Sequence, residues 1–135
     1  MREILFRGKN KYFNEWAEGY YTKGFNRPEN DLLDMIYSFS KENEKNKFSY
    51  TVVNPETVGQ YTGLTDKNGK KIFEGDIVMA YFYSNRSYQK FRVIFKNGAF
   101  LFDNGSVEVP VWDIYCLRII GNIHDNPELL KGGAE

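Results

Sequence analysis

The chain has 135 residues, with 18 Lys and Arg matched by 18 Asp and Glu. Ten residues of each sign occur up to Asn68 and eight of each follow, so each half is neutral on its own. That excludes a generally basic module drawn to phosphate or anionic lipid, and the length suits one domain or two very small ones.

The first seven residues start basic but carry charge again at Glu3 and Arg7, which does not fit a signal peptide. Residues 3–7 alternate as a short strand that Gly8 is expected to end, and Gly19-Tyr20-Tyr21-Thr22 predicts a second before Gly24 and Pro28. Residues 32–39 fit either period. Leu32, Met35, Ile36 and Phe39 would line one helical face, and Leu33, Met35, Tyr37 and Phe39 one strand face. The wholly polar stretch 40–47 and the clean alternation of 48–52 favour a hairpin.

Beyond Pro55, Asn68-Gly69, Asn97-Gly98 and Asn104-Gly105 are hairpin signals, because both residues of such a pair tolerate positive φ. They punctuate expected strands at 76–83, 89–96, 99–103, 106–111 and 117–123, the spacing of a small antiparallel barrel or sandwich. Pro110 must lie at a strand edge or end, and Pro127-Glu128-Leu129-Leu130 predicts one helical turn. An aromatic content of 17% favours sheets, and no apolar run approaches the roughly 20 residues that span a bilayer.

Chemistry-bearing sets are sparse. Cys116 stands alone, so no intrachain disulfide forms, and its apolar neighbours suit packing in a reducing cytosol. His124 is the single histidine, and eight extended residues of roughly 26 Å separate it from Cys116, too far for a nucleophile–base pair. One Cys and one His make no structural zinc site, and no calcium ladder is present. Glu74 and Asp76 flank Gly75; acid–base work is conceivable there, but a turn with Asp76 bonded to backbone amides fits better. No catalytic residue, metal or cofactor is assigned.

The segment 81–92 interleaves Tyr83 and Tyr88 with Arg86, Lys90 and Arg92 around an expected hairpin tip. Small barrels bind single-stranded nucleic acid with such sets, although one face of the hairpin must be core and the neutral charge removes a wider footprint. A solvated hairpin or a protein interface is the competing reading.

The block from Val53 to Val78, running through Gly59-Gln60-Tyr61-Thr62-Gly63-Leu64-Thr65-Asp66-Lys67-Asn68-Gly69 and Ile72-Phe73-Glu74-Gly75-Asp76, resembles the signature of the YopX family. The opening Arg2-Glu3-Ile4-Leu5-Phe6-Arg7-Gly8, the stretch Asn14 to Tyr21 and the closing Ile119 to Leu130 resemble it too. Residues 26–47 match no pattern of that family. The resemblance implies a phage- or prophage-encoded, mostly β protein whose C-terminal part is an SH3-like barrel. It carries no activity and transfers no catalytic residue. Within the block, Tyr61, Leu64, Ile72 and Phe73 read as packing, and Gln60, Tyr61 and Thr62 as the polar candidates for a concealed site. The expected organisation is an N-terminal antiparallel β region (1–65), an SH3-like barrel (66–126) and a helical turn with tail (127–135). The expected role is a cytoplasmic accessory protein that binds another protein or itself without entering a membrane. A single-stranded nucleic-acid binder is the alternative.

Overall fold

Tyrosine, phenylalanine and β-branched residues at alternate positions make strands of nearly the whole chain. The structure, a computed structural model, describes residues 3–26, 32–43, 45–83, 86–113 and 115–131. It divides into two units, Met1–Tyr61 and Thr62–Glu135.

The first unit contains β1 (Phe6–Lys9), β2 (Trp16–Asn26), β3 (Leu32–Glu42), β4 (Lys45–Val52) and the start of β5 (Gly59–Thr65). These lie in the order β4-β3-β2-β1-β5, antiparallel throughout. The ambiguous stretch 32–39 is strand: Tyr37 faces Tyr50 and Phe39 faces Phe48 across the hairpin. Two glycines act differently from expectation. Gly8 does not end β1 but pairs with Ala17 inside it, because a Cβ there would sit 2.9 Å from the Val53 side chain. Gly24 does not end β2. It takes φ 67 at a register shift between Thr22 and Phe25, so the strand bulges and continues to Asn26. Asp34 pins that bulge, its Oδ1 accepting from the Gly24 N–H at 3.1 Å and the Tyr21 hydroxyl at 2.8 Å. The position of Pro28 lies outside the described residues. Met35, Ile36 and Val53 are the unit's buried apolar residues among those described. Thr57, in the 3-10 turn Pro55–Thr57, accepts from the Lys9 N–H at 2.9 Å.

The second unit holds the end of β5, β6 (Lys71–Phe73), β7 (Asp76–Phe82), β8 (Ser87–Lys96), β9 (Ala99–Asp103), β10 (Glu108–Pro110) and β11 (Tyr115–Asn122). Strands β7 to β11 form one antiparallel sheet in the order β10-β9-β8-β7-β11. The sheet does not close: β10 and β11 are its edges, and no ladder joins them among the described residues. Strand β10 is shorter than the expected 106–111, because residues 104–107 are used by the turn, and β8 starts earlier, at Ser87. Pro110 ends the edge strand β10, where its missing N–H costs no ladder bond. The core comprises Ile72, Val78, Ala80, Phe91, Val93, Phe102 and Val111.

Gly75 has φ 93 and makes the turn between β6 and β7. Its N–H donates to the Val93 carbonyl and its carbonyl accepts from Ile123, both at 2.8 Å. Asp76 Oδ2 accepts from the Phe73 N–H at 2.7 Å, the backbone role expected of it. Of the packing residues in the signature block, Ile72 and Phe73 are buried, but Leu64 is 37% exposed. Leu64 follows the Thr62 that feeds the β6 ladder, on the part of β5 that reaches into solvent. Residues Pro127–Leu130 form the expected helical turn, of 3-10 type.

Candidate functional site

The β7–β8 hairpin sorts its side chains by alternation. Phe91 and Val93 enter the core, while Tyr88, Lys90 and Arg92 lie on the other face, opposite Tyr81, Met79 and Ile77 of β7. Tyr81 meets Tyr83 edge-on at 5.0 Å and Tyr88 edge-on at 5.2 Å between ring centroids. Tyr83 and Tyr88 remain 63% and 56% exposed. Tyr115 on β11 stands opposite Tyr81 and is exposed as well, so four tyrosines gather at this end of the sheet. Arg86 sits at the hairpin tip with φ 50 and is exposed.

The three cations differ in availability. Arg92 is engaged, its Nε donating to Asp103 Oδ2 at 2.8 Å. Lys90 is half-buried and makes no side-chain hydrogen bond or ion pair among the described residues. Lys90 borders a groove of about 630 Å³ walled by Phe82, Gln89, Asn104, Val107 and Leu129. Asn104 Nδ2 donates to Gln89 Oε1 at 2.9 Å, setting an amide pair into the groove wall.

The loop from β9 to β10 is fixed by its own carboxyl and amide groups. Asp103 Oδ1 accepts from Gly105 at 2.9 Å, and Asn104 Oδ1 accepts from Ser106 at 2.9 Å and Val107 at 2.8 Å. Burial pushes the Asp103 carboxyl up, but the Gly105 amide and Arg92 outweigh it and hold its pKa below the usual carboxylate value. One wall is therefore rigid, with Lys90 the unpaired charge beside it.

The candidates from the signature block lie elsewhere. Gln60 faces Phe6 of β1, and Gln60 and Tyr61 belong to the first unit. Thr62 begins the second, its hydroxyl donating to the Ile72 carbonyl at 2.8 Å. No residue of β5 lines the groove. His124 lies in the turn after β11, where its N–H donates to Asn122 Oδ1 at 3.0 Å. The Cys116 side chain lies outside the described set, and its backbone pairs with Ala80. Among the described residues no three His, Cys, Asp or Glu side chains gather as a metal site, and no helix is long and apolar enough to cross a membrane.

Sequence reasoning missed Gln89, Asn104 and Leu129, which come from three separate segments. The available signal was Asn104-Gly105, which marked the loop but not what it faces.

An antiparallel all-β chain with an aromatic and cationic hairpin face defines the class. A family model described as YopX protein matches residues 5–131, and the chain belongs to the YopX family. It is similar in structure to protein EF1440 from Enterococcus faecalis, known from a crystal structure. The two share 27% identity over 97% of this chain and 100% of that one, with a TM-score of 0.59. No curated protein matches the chain.

Proposed function

We propose that this is a phage- or prophage-encoded accessory protein of the host cytosol, acting as a binding module for another protein and not as an enzyme. The observation that carries this is the edge-on cluster of Tyr81, Tyr83 and Tyr88, with Lys90 two residues along β8 from Tyr88 and itself bordering the 630 Å³ groove. Exposed tyrosines supply contact area at low entropic cost, and a lysine beside them adds selectivity for an acidic or carbonyl-rich segment. In this proposal Tyr83, Arg86, Tyr88 and Lys90 meet the partner, and Arg92 shapes the wall through Asp103.

The second unit reads as an open SH3-like roll. Its order supports this: β7 to β10 form a meander, and β11 returns beside β7. Small rolls of this type recognise partners through hairpin tips and the grooves beside them.

Affinity purification from phage-infected cells with mass spectrometry tests the proposal. Wild-type protein is expected to retain a specific partner that Tyr88→Ala and Lys90→Glu both lose. Retention by both variants would remove this surface from consideration. The stacking capacity of Tyr83 and Tyr88 keeps a single-stranded nucleic-acid reading in view. Fluorescence anisotropy with labelled oligonucleotides at low salt separates the two, and binding there that weakens with Lys90→Glu would favour nucleic acid.

A further inference from the structure

In the first unit, the β3–β4 hairpin ends in a ribbon exposed on both sides. Every residue of β4 from Lys45 to Tyr50 is exposed, as are Phe39 and Ser40 across from it. The two faces differ in chemistry. Cross-strand pairing puts Tyr20, Tyr37, Phe39, Phe48 and Tyr50 on one face, and Ser38, Ser40, Lys47, Ser49 and Thr51 on the other. On the first face the rings touch in series. Tyr20 to Phe39 is 6.1 Å, Phe39 to Phe48 5.0 Å, Phe48 to Tyr37 5.3 Å and Tyr37 to Tyr50 6.3 Å. Yet Tyr20, Phe39, Phe48 and Tyr50 stay between 52% and 63% exposed.

A two-stranded ribbon with an uncovered apolar face is marginal in water, and a contiguous patch of this kind marks an association surface. We propose that two copies of the chain meet here, aromatic face on aromatic face about a twofold axis.

Area, charge and edge chemistry each favour a second copy. With each aromatic side chain worth some 150–250 Å² when buried, the patch offers about 500 Å² per copy, and two of them reach the lower bound of a specific interface near 1,000 Å². A net charge of zero leaves no long-range repulsion between copies. Lys45 and Lys47 also guard the free edge of β4, which disfavours strand-to-strand extension and leaves the face as the contact. A twofold contact uses one patch twice, which a self-complementary aromatic surface satisfies.

Sedimentation equilibrium on the full chain tests this. Wild type is expected to show a reversible monomer–dimer equilibrium, and Phe48→Ser or Tyr50→Ser to weaken it at least about tenfold, in keeping with the loss of a central aromatic anchor. A wild type that is monomeric at every concentration, or a dimer indifferent to both substitutions, would overturn the proposal. Should either variant lose its circular dichroism spectrum, hydrogen exchange on the wild type decides. Protection of residues 37–50 must rise with concentration across the transition, and unchanged protection refutes the interface. The proposal concerns the first unit, whereas partner capture with Tyr88→Ala reports on the second, so the two fail separately.

Discussion

Asp66 gathers three backbone donors around one carboxylate. Its Oδ1 accepts from Asn68 and Lys70, each at 2.9 Å, and its Oδ2 accepts from Ile119 at 3.1 Å. Burial pushes this carboxyl up, but the three amides and the nearby Lys70 charge outweigh burial, and its pKa lies below the ordinary value. A carboxyl depressed in the folded state stabilises the fold at pH above its unfolded pKa of about 3.9, and that contribution is lost as pH falls through the folded value. Asp103 is depressed in the same direction, so the two act together. Thermal melts should therefore show a falling midpoint as pH drops below about 4, and Asp66→Asn should flatten part of that slope. Asp66→Ala leaves three amides without their acceptor and should cost about 2–3 kcal/mol by urea titration. Tyr21 titrates at the other extreme. Burial and the hydrogen bond to Asp34 push its hydroxyl up to about 12, so it stays protonated and keeps donating at the β2 bulge. Gly8 is a purely steric case. Gly8→Ala drives a methyl toward Val53 at 2.9 Å and should destabilise by about 1–3 kcal/mol through overpacking.

Turns were the most legible elements because their chemistry is local. Asn97 and Gly98 both take positive φ, 53 and 80, and join β8 to β9 as the pair demands. The other two Asn-Gly pairs differ: Gly69 (φ 80) and Gly105 (φ 93) are in positive φ, but Asn68 and Asn104 are not. Gly98→Ala should thus cost about 1–2 kcal/mol in chemical denaturation, since the new side chain meets the αL penalty and nothing else. The β3–β4 hairpin was also legible, because alternation continues on both sides of a polar tip. What stayed hidden was set by distant neighbours. Gly8 looks like a strand terminator until Val53 is seen beneath it, and β2 looks short until Asp34 is seen holding its bulge. The groove is a third instance: Gln89, Asn104 and Leu129 share no local pattern, and only the register of β8 against β9 and the return of the chain after β11 unite them. The aromatic face of the first unit was half visible, as the alternation of 37–39 and 48–50, but alternation does not reveal that nothing covers the apolar side.

Across the whole molecule, neutrality governs how copies meet. With no net charge and an isoelectric point near 6.6, association through aromatic surface should change by less than about threefold between low and moderate salt. Sedimentation at two ionic strengths checks this, and a steep salt dependence would point to ion pairs at the contact. The same neutrality leaves the partner binding proposed for the second unit to local groups, of which Lys90 makes no side-chain hydrogen bond or ion pair among the described residues.

The return of β11 to β7 also sets a schedule during synthesis. Strands β7 to β10 follow one another and can pair as they leave the ribosome, but one edge of β7, from Asp76 to Tyr81, has no partner until Tyr115–Asn122 emerges. In that interval an apolar run, Ile77-Val78-Met79-Ala80, offers an open ladder to any other nascent strand. Late pairing of distant segments is intrinsically slow. The vulnerable moment in this protein's life is thus the translation of some thirty residues between β7 and β11, when the sheet is present but its last neighbour is not yet made.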